Sequence, residues 1–228
     1  GTITFGAAGI NDTIGNLANE TGTAISSELS NALGSNGDST VDITVTNGGT
    51  ALSTSAHVKA LNVIHAAQNS ANDITATLAI DKTEAALFSG ISNKNLTITV
   101  SDAMSVSEFG TLDAVSKNNI TLTTGLSDSL GNLAPSGSVD SRVTAAIAQD
   151  ALSTLNVIVT PAVTENHTHL NTLAAAVPGT TTASVTGTAT ELAALTSLGT
   201  SDPVTYTIAS NASALQLKNI AGNTALLT

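Results

Sequence analysis

ITATLAIDKTEAALFSGI, residues 74–91, decides the fold class. Residues 74–80 alternate aliphatic residues with Thr or Ala, and this period of two predicts a half-buried strand. From Asp81 onward the apolar residues follow the spacing of one helical face. The stretch therefore predicts a strand followed directly by a helix.

The same order recurs along the chain. Aliphatic residues that alternate with Thr predict further strands at residues 2–5, 41–46, 96–101, 120–124, 157–160, 183–186 and 204–208. Most of these runs precede an Ala/Leu-rich stretch with helical spacing. The sequence therefore predicts an array of strand–helix units.

Three of the strand–helix junctions carry the signature of a capping box. In this motif an N-cap side chain and a Glu three residues later each accept a hydrogen bond from the other residue's backbone N–H. The pairs are Asp81/Glu84, Ser105/Glu108 and Thr188/Glu191. Because each pair follows a Thr-alternating run by a few residues, the three together predict helix starts.

The predicted units differ in length. Regular units are 21–26 residues long, and two longer steps of 33 and 37 residues predict extended helices or inserted loops. Residues 125–137, GLSDSLGNLAPSG, are predicted to be an insertion because Gly, Ser, Asp and Pro cluster there. Residues 10–33 have helical spacing, so residues 1–40 are predicted to be a lead-in or cap, and residues 41–228 the repeat array.

Two α/β architectures fit strand–helix units of this length, because each helix returns the chain to start a parallel strand. The first is an irregular strand–helix solenoid with parallel strands, similar in outline to a leucine-rich repeat. The alternative is a doubly wound α/β sheet, whose strands are usually apolar on both faces. Since these strands alternate with Thr, the solenoid is favoured.

Composition and charge exclude several function classes. Seventeen acidic and six basic residues give a formal net charge of −11, which disfavours binding to nucleic acid and to anionic lipid. The chain has no Cys, so disulfides and thiolate metal sites are excluded. No apolar stretch reaches the ~18 residues of a membrane span, so membrane insertion is not expected.

The repeat units resemble a known group of proteins. ITVSDAMSVSEFGTLDAV (98–115), ASVTGTATELAAL (183–195) and VTYTIASNASALQLKNI (204–220) are similar to the degenerate repeats of large Thr/Ala-rich surface proteins of cyanobacteria and other marine bacteria, and of cyanophage fibres. The resemblance covers about the last two-thirds of the chain. It implies an extracellular, non-enzymatic role in adhesion or fibre formation, at a cell or virion surface, and it supplies no catalytic residues.

Calcium is the main metal hypothesis. Asp81, Asp102, Asp128 and Asp202 lie at or near the ends of predicted strands, where extracellular repeat proteins often bind Ca²⁺ weakly. The chain has no DxDxDG loop, and helix capping accounts for Asp81 and Asp102 without a metal. No metal ligand is therefore assigned, and Ca²⁺ is kept as the alternative.

The histidines supply the remaining candidates. His167 and His169 form an HxH pair, which supplies two metal ligands when it lies on a strand, but here it falls where a helix should start. His57 and His65 are interpreted as helix-surface residues.

Two glycine-containing runs suggest anion binding. Residues 47–50, NGGT, lack the Lys and the spacing of a phosphate-binding loop, so they are interpreted as a turn, and residues 6–9 are interpreted in the same way. No catalytic or cofactor-binding residue is assigned, and the protein is not expected to be an enzyme.

The sequence predicts a structural subunit or segment of a surface filament, sheath, adhesin or fibre. Unpaired strand edges at the ends of a repeat array favour stacking, and residues 220–228 are apolar, so end-to-end self-association, or contact with neighbouring repeats of a longer chain, is expected. The alternatives are a phage tail or capsid fibre segment, and a module that binds glycans or another cell-surface partner through a Thr/Asn-rich face.

Overall fold

The computed structural model describes residues 9–35, 41–68, 71–150 and 154–222. Nine strands lie in these residues: β1 (Ile10–Thr13), β2 (Ile43–Thr46), β3 (Ile74–Ile80), β4 (Asn95–Val100), β5 (Ile120–Leu122), β6 (Leu126–Asp128), β7 (Val157–Val163), β8 (Thr181–Gly187) and β9 (Val204–Ile208).

Helices alternate with the strands. The ten helices of the described residues are α1 (Ile14–Leu17), α2 (Ser27–Ser35), α3 (Ser55–Ala67), α4 (Lys82–Ala85), α5 (Val106–Asp113), α6 (Leu130–Leu133), α7 (Ser141–Gln149), α8 (His167–Ala176), α9 (Ala189–Ala193) and α10 (Ala214–Gly222), and a 3-10 helix covers Pro135–Gly137. None of the helices in the described part of the chain has the length and hydrophobicity that a membrane span requires.

The chain divides into two units. Unit 1 comprises Gly1–Ser101 and Gly110–Thr121, and unit 2 comprises Asp102–Phe109 and Leu122–Thr228. The strands of the described residues form one sheet of order β1-β2-β3-β4-β5 and a second sheet of order β6-β7-β8-β9. Each sheet thus follows the order of the sequence.

Parallel pairing builds the first sheet. Ile10 pairs with Ile43, and Ile43 pairs with Ile74 on its other side. Thr75 pairs with Asn95 in the next parallel pair. Along β3 the residues Ile74, Ala76, Leu78 and Ile80 are buried and the residues between them are more exposed. The Thr alternation therefore places one face of the strand in the core, as predicted.

The second sheet repeats this arrangement. Leu126 pairs with Val157, Val157 with Thr181, and Ala183 with Val204, all in parallel. The alternating burial persists in β8, whereas no residue of β9 is fully buried. Since β9 is the edge strand of this sheet within the described residues, its side chains are covered less completely.

The prediction of a mixed α/β fold with parallel strands is confirmed. In a doubly wound sheet the strand order reverses at a switch point. The strand order of each sheet, taken over the described residues, contains no such reversal.

Two stretches differ from the sequence-based expectation. Ile10–Thr13, predicted as the start of a helix, is strand β1. Residues 125–137, predicted as an insertion, contain β6, α6 and the 3-10 helix. Both strands are too short for a period of two to be recognised, and their strand state comes from pairing with the next strand. The predicted strand at residues 2–5 and residues 223–228 of the apolar end lie outside the described residues.

One glycine precedes the first strand of each sheet. Gly9 has φ 63° and Gly125 has φ 94°, and both conformations are costly for residues with a Cβ. A Cβ at Gly9 would overlap the carbonyl oxygen of Asp42, and one at Gly125 would overlap that of Asn156. These carbonyls accept hydrogen bonds of 2.9 Å from the backbone N–H groups of Ile10 and Leu126. The glycines therefore permit the pairing that starts each sheet.

Candidate functional site

All three predicted capping boxes are present. Asp81 and Glu84 exchange both hydrogen bonds, and Thr188 and Glu191 do the same. The N–H of Glu108 donates to Ser105 Oγ (3.1 Å), and the N–H of Ser105 donates to Glu108 Oε2 (2.7 Å).

A fourth box, at the start of α10, was missed in the sequence. The N–H of Ser213 donates to Gln216 Oε1 (2.9 Å), and the N–H of Gln216 donates to Ser213 Oγ (3.2 Å). The S-x-x-Q pattern could have revealed it, because Gln replaces Glu in such boxes.

His57 closes a related arrangement at the start of α3. Thr54 Oγ1 accepts from the N–H of His57 (3.2 Å), and His57 Nδ1 accepts from the N–H of Ser53 (3.0 Å). An accepting Nδ1 carries no proton, so the neutral ring is the form that fits here. Burial lowers the pKa of His57, and Glu84 opposes this shift. His57 therefore stabilises the N-terminus of α3.

His65 is buried rather than on the helix surface, which corrects the sequence-based interpretation. It is 9% exposed, and within the described residues its Nδ1 has no hydrogen-bond partner. Burial lowers the pKa of His65, nearby Lys94 lowers it further, and a hydrogen bond to the Gly90 backbone raises it. Lys94 is itself 4% exposed, and its Nζ donates to the Asn72 carbonyl (2.5 Å). Burial and the nearby Lys94 therefore favour the neutral form of the His65 imidazole.

Backbone groups bind most of the acidic side chains proposed for calcium. Asp81 caps α4. Asp202 accepts from the N–H groups of Thr181 (2.6 Å) and Gly199 (2.7 Å). Asp102 does not cap α5, because Ser105 does. Asp81 and Asp202 thus bind separate backbone groups. The described residues contain no group of three or more His, Cys, Asp or Glu placed to hold a metal ion.

The two histidines of the HxH pair diverge. Both lie in the first turn of α8, where residues two apart point to different sides. His167 is buried, and its Nε2 lies 3.0 Å from the Thr186 carbonyl. The His169 ring lies beside Gly137 instead, 3.2 Å from the position that a Cβ would take there. The helix therefore separates the two rings.

Residues 47–50 form a closed turn. The backbone N–H (3.1 Å) and the Oγ1 (2.7 Å) of Thr50 donate to the Asn47 carbonyl, and Gly48 and Gly49 have positive φ. The turn is held by its own hydrogen bonds, as the sequence predicted.

The described surface has one cleft of interest in each unit. The cleft in unit 1, of about 470 Å³, is lined by Thr13, Asn19, Glu20, Thr54 and His57 among others. The cleft in unit 2, of about 610 Å³, lies between α8 and α9. Its polar lining includes Thr168, Thr172, Thr190 and Glu191. The Glu191 carboxylate already closes a capping box, whose backbone hydrogen bond lowers its pKa.

A ten-residue motif begins each sheet, and the sequence-based strand pattern gives no sign of it. Residues 9–18 read GINDTIGNLA and residues 125–134 read GLSDSLGNLA. We call these the first and second start motifs. They share the pattern G-[IL]-[NS]-D-[ST]-[IL]-G-N-L-A. The motif recurs after 116 residues, so the 21–26-residue spacing of the strands concealed it.

The two start motifs make the same internal contacts. Asp12 Oδ1 accepts from the Thr13 N–H (2.7 Å) and Asn16 Nδ2 (2.8 Å). Asp128 Oδ1 accepts from the Ser129 N–H (2.7 Å) and Asn132 Nδ2 (2.8 Å). The repeated sequence therefore folds twice into the same turn.

The second start motif makes further contacts that lie within unit 2. The N–H of Met104 donates to the Gly125 carbonyl (3.2 Å), and the N–H of Ser127 donates to the Met104 carbonyl (2.8 Å). Asp128 Oδ2 accepts from the N–H of Val106 (3.0 Å), the first residue of α5. Residues 102–109 thus form a docking loop for this start motif.

The comparisons with known proteins give no assignment. No protein-family model, no curated protein and no solved structure matches the chain.

Proposed function

We propose that the protein is an extracellular structural protein, a subunit or segment of a surface filament, sheath, adhesin or fibre. In this proposal the strand–helix units wind as an irregular solenoid, and the chain has a mechanical role. The resemblance of residues 98–115, 183–195 and 204–220 to bacterial surface and cyanophage fibre repeats supports this location.

The repeated start motif is the observation that carries the proposal. In both sheets a start motif is followed by parallel strands in the order of the sequence. An array of this kind grows by adding units of one design, as repeat proteins do. A protein whose parts repeat in this way suits an extended assembly.

The polar side chains support a structural role as well. Asp81, Asp128 and Asp202, together with the capping boxes, bind backbone N–H groups. Each hydrogen bond of this type satisfies a donor that would otherwise lose its partner on burial. The capping boxes fix helix starts within a strand–helix unit, and Asp128 and Asp202 bind backbone groups more than 20 residues away, in the preceding strand–helix unit.

Electron microscopy of the purified protein tests the proposal. Filaments, fibres or regular sheets are expected at high protein concentration. Single particles at every concentration, together with turnover in a broad esterase and glycosidase screen, would contradict it. Calcium added or removed with a chelator is expected to leave assembly unchanged, because the carboxylates named above are engaged by backbone donors.

A glycan-binding module is the second candidate, and the α8/α9 cleft favours it. Thr168, Thr172 and Thr190 bring hydroxyl groups to this cleft, and the exposed Ala194 adds an apolar surface. Protein sites for small molecules combine these two features. A glycan array probed with the wild-type protein and with Thr168→Val tests this candidate, which requires a signal that the variant loses.

A further inference from the structure

The docking loop also has a second copy in the sequence. The capping boxes Ser105/Glu108 and Ser213/Gln216 align residues 102–109 with residues 210–217. Ala212 then corresponds to Met104, Ala214 to Val106, and Leu217 to Phe109. We call residues 210–217 the second docking loop.

The two docking loops differ in how far their side chains are buried. Met104 is 2% exposed, and Val106 and Phe109 are 0% exposed. At the corresponding positions Ala214 is exposed and Leu217 is 41% exposed. The first docking loop is bound by a start motif, whereas in the described residues the second is not.

The two start motifs differ in the complementary way. Leu126 is fully buried, but the corresponding Ile10 is only partly buried. Asp128 Oδ2 accepts from Val106, while the hydrogen bonds of Asp12 within the described residues reach Oδ1 alone. Strand β1 is also an edge strand there. The first start motif thus presents the groups that the second one uses.

We infer that the first start motif of one molecule docks on the second docking loop of another copy of this chain. Asp12 Oδ2 accepts from the N–H of Ala214, as Asp128 Oδ2 does from Val106. The backbone of Ala212 pairs with Gly9 and Asn11, as Met104 pairs with Gly125 and Ser127. The contact between residues 102–109 and 125–128 inside unit 2 is the template for this junction.

The two surfaces of the junction are different, so association is heterologous. After one contact forms, the pair keeps one free start motif and one free docking loop, so growth continues from both ends. The inference rests on the proposed structural function and specifies its assembly contact.

Two variants each remove one side of the junction. Asp12→Asn keeps an oxygen for Thr13 and Asn16 but replaces Oδ2 by an amide that cannot accept from Ala214. Leu217→Ser removes the apolar side chain at the position of buried Phe109. Leu215→Ser is the matched control, because Leu215 is 66% exposed and corresponds to Ser107, which is exposed beside the occupied loop.

Sedimentation velocity over a wide concentration range measures the association. The wild-type protein and Leu215→Ser are expected to form oligomers that grow with concentration. Asp12→Asn and Leu217→Ser are expected to associate about tenfold or more weakly, as for the loss of a charge-assisted hydrogen bond or a buried apolar anchor. Circular dichroism checks that each variant is folded. If Asp12→Asn does not fold, Leu217→Ser alone still tests the junction.

Mixing the two variants tests the polarity of the junction. Asp12→Asn retains its docking loop and Leu217→Ser retains its start motif, so a one-to-one mixture is expected to form dimers that do not grow further. Variants that assemble like the wild type, or equal weakening by Leu215→Ser and Leu217→Ser, would overturn the inference and leave the proposed function standing. A wild-type protein that stays monomeric would contradict both.

Discussion

At the scale of single residues, the two histidines of α3 link stability to pH. Burial is the main cause that lowers the pKa of both His57 and His65. The unfolded chain therefore binds protons on these residues at a higher pH than the folded chain does. Their contribution to stability is complete above the unfolded value of about 6.5 and is lost as pH falls through the lower folded values.

We expect the free energy of unfolding to fall between about pH 7 and pH 5. The double variant His57→Asn, His65→Gln should have a flatter dependence, because the Asn oxygen can replace Nδ1 as the acceptor for Ser53 and neither side chain titrates. Urea unfolding at a series of pH values measures this. A slope that is equally steep in the variant would show that other groups cause it.

At the scale of the element, a capping residue and a helical residue of α4 should respond differently to the same change. Asp81→Ala removes the acceptor for the Glu84 N–H and is expected to lower the free energy of unfolding by about 1 kcal/mol. Thr83→Ala, inside the same exposed helix, should change it by less than about 0.5 kcal/mol, since Ala favours helices. Chemical denaturation of both variants tests this, and equal losses would contradict the capping role.

Hydrogen bonds between a side chain of one element and the backbone of a neighbouring element could not be predicted from the sequence. Asn62 of α3 donates to the Leu87 carbonyl (2.7 Å) and accepts from the Ser89 N–H (3.1 Å). Asn171 of α8 accepts from the Ser197 N–H (2.8 Å). An Asn inside a helical stretch gives no local signal, because its partners lie about 25 residues further along the chain. Capping boxes could be predicted because both partners lie within four residues.

At the scale of the whole molecule, the same Asp→Asn substitution can be made in both start motifs, at Asp12 and at Asp128, of which only Asp128 binds a docking loop. Asp128→Asn removes the acceptor for Val106 and should lower the free energy of unfolding by about 1.5–3 kcal/mol. Asp12→Asn keeps every hydrogen bond made by Asp12 in the described residues and should change it by less than about 0.5 kcal/mol. Denaturation at a concentration below association compares them. Equal losses of stability in the two variants would mean that Asp12 and Asp128 play the same role and would contradict this prediction.

The sequence predicted the class of the fold and most of its strands. Ile74–Ile80 and Val204–Ile208 match β3 and β9, because in both strands less exposed residues alternate with more exposed ones. Strands β1 and β6 were not predicted, since INDT and LSD have no usable period and depend on a glycine with positive φ and a distant partner. The repeat after 116 residues has no signal in the hydrophobic spacing, because its strands and helices are only three or four residues long.

The consecutive order of the strands has a consequence for synthesis. Ile10 meets its partner Ile43 after 33 residues, and Thr75 meets Asn95 after 20. Sheets whose neighbours are close in sequence close small loops at little entropic cost. As the chain leaves the ribosome, each strand can pair soon after it emerges, without waiting for the carboxyl terminus. The protein can thus fold vectorially, with every completed strand guiding the next.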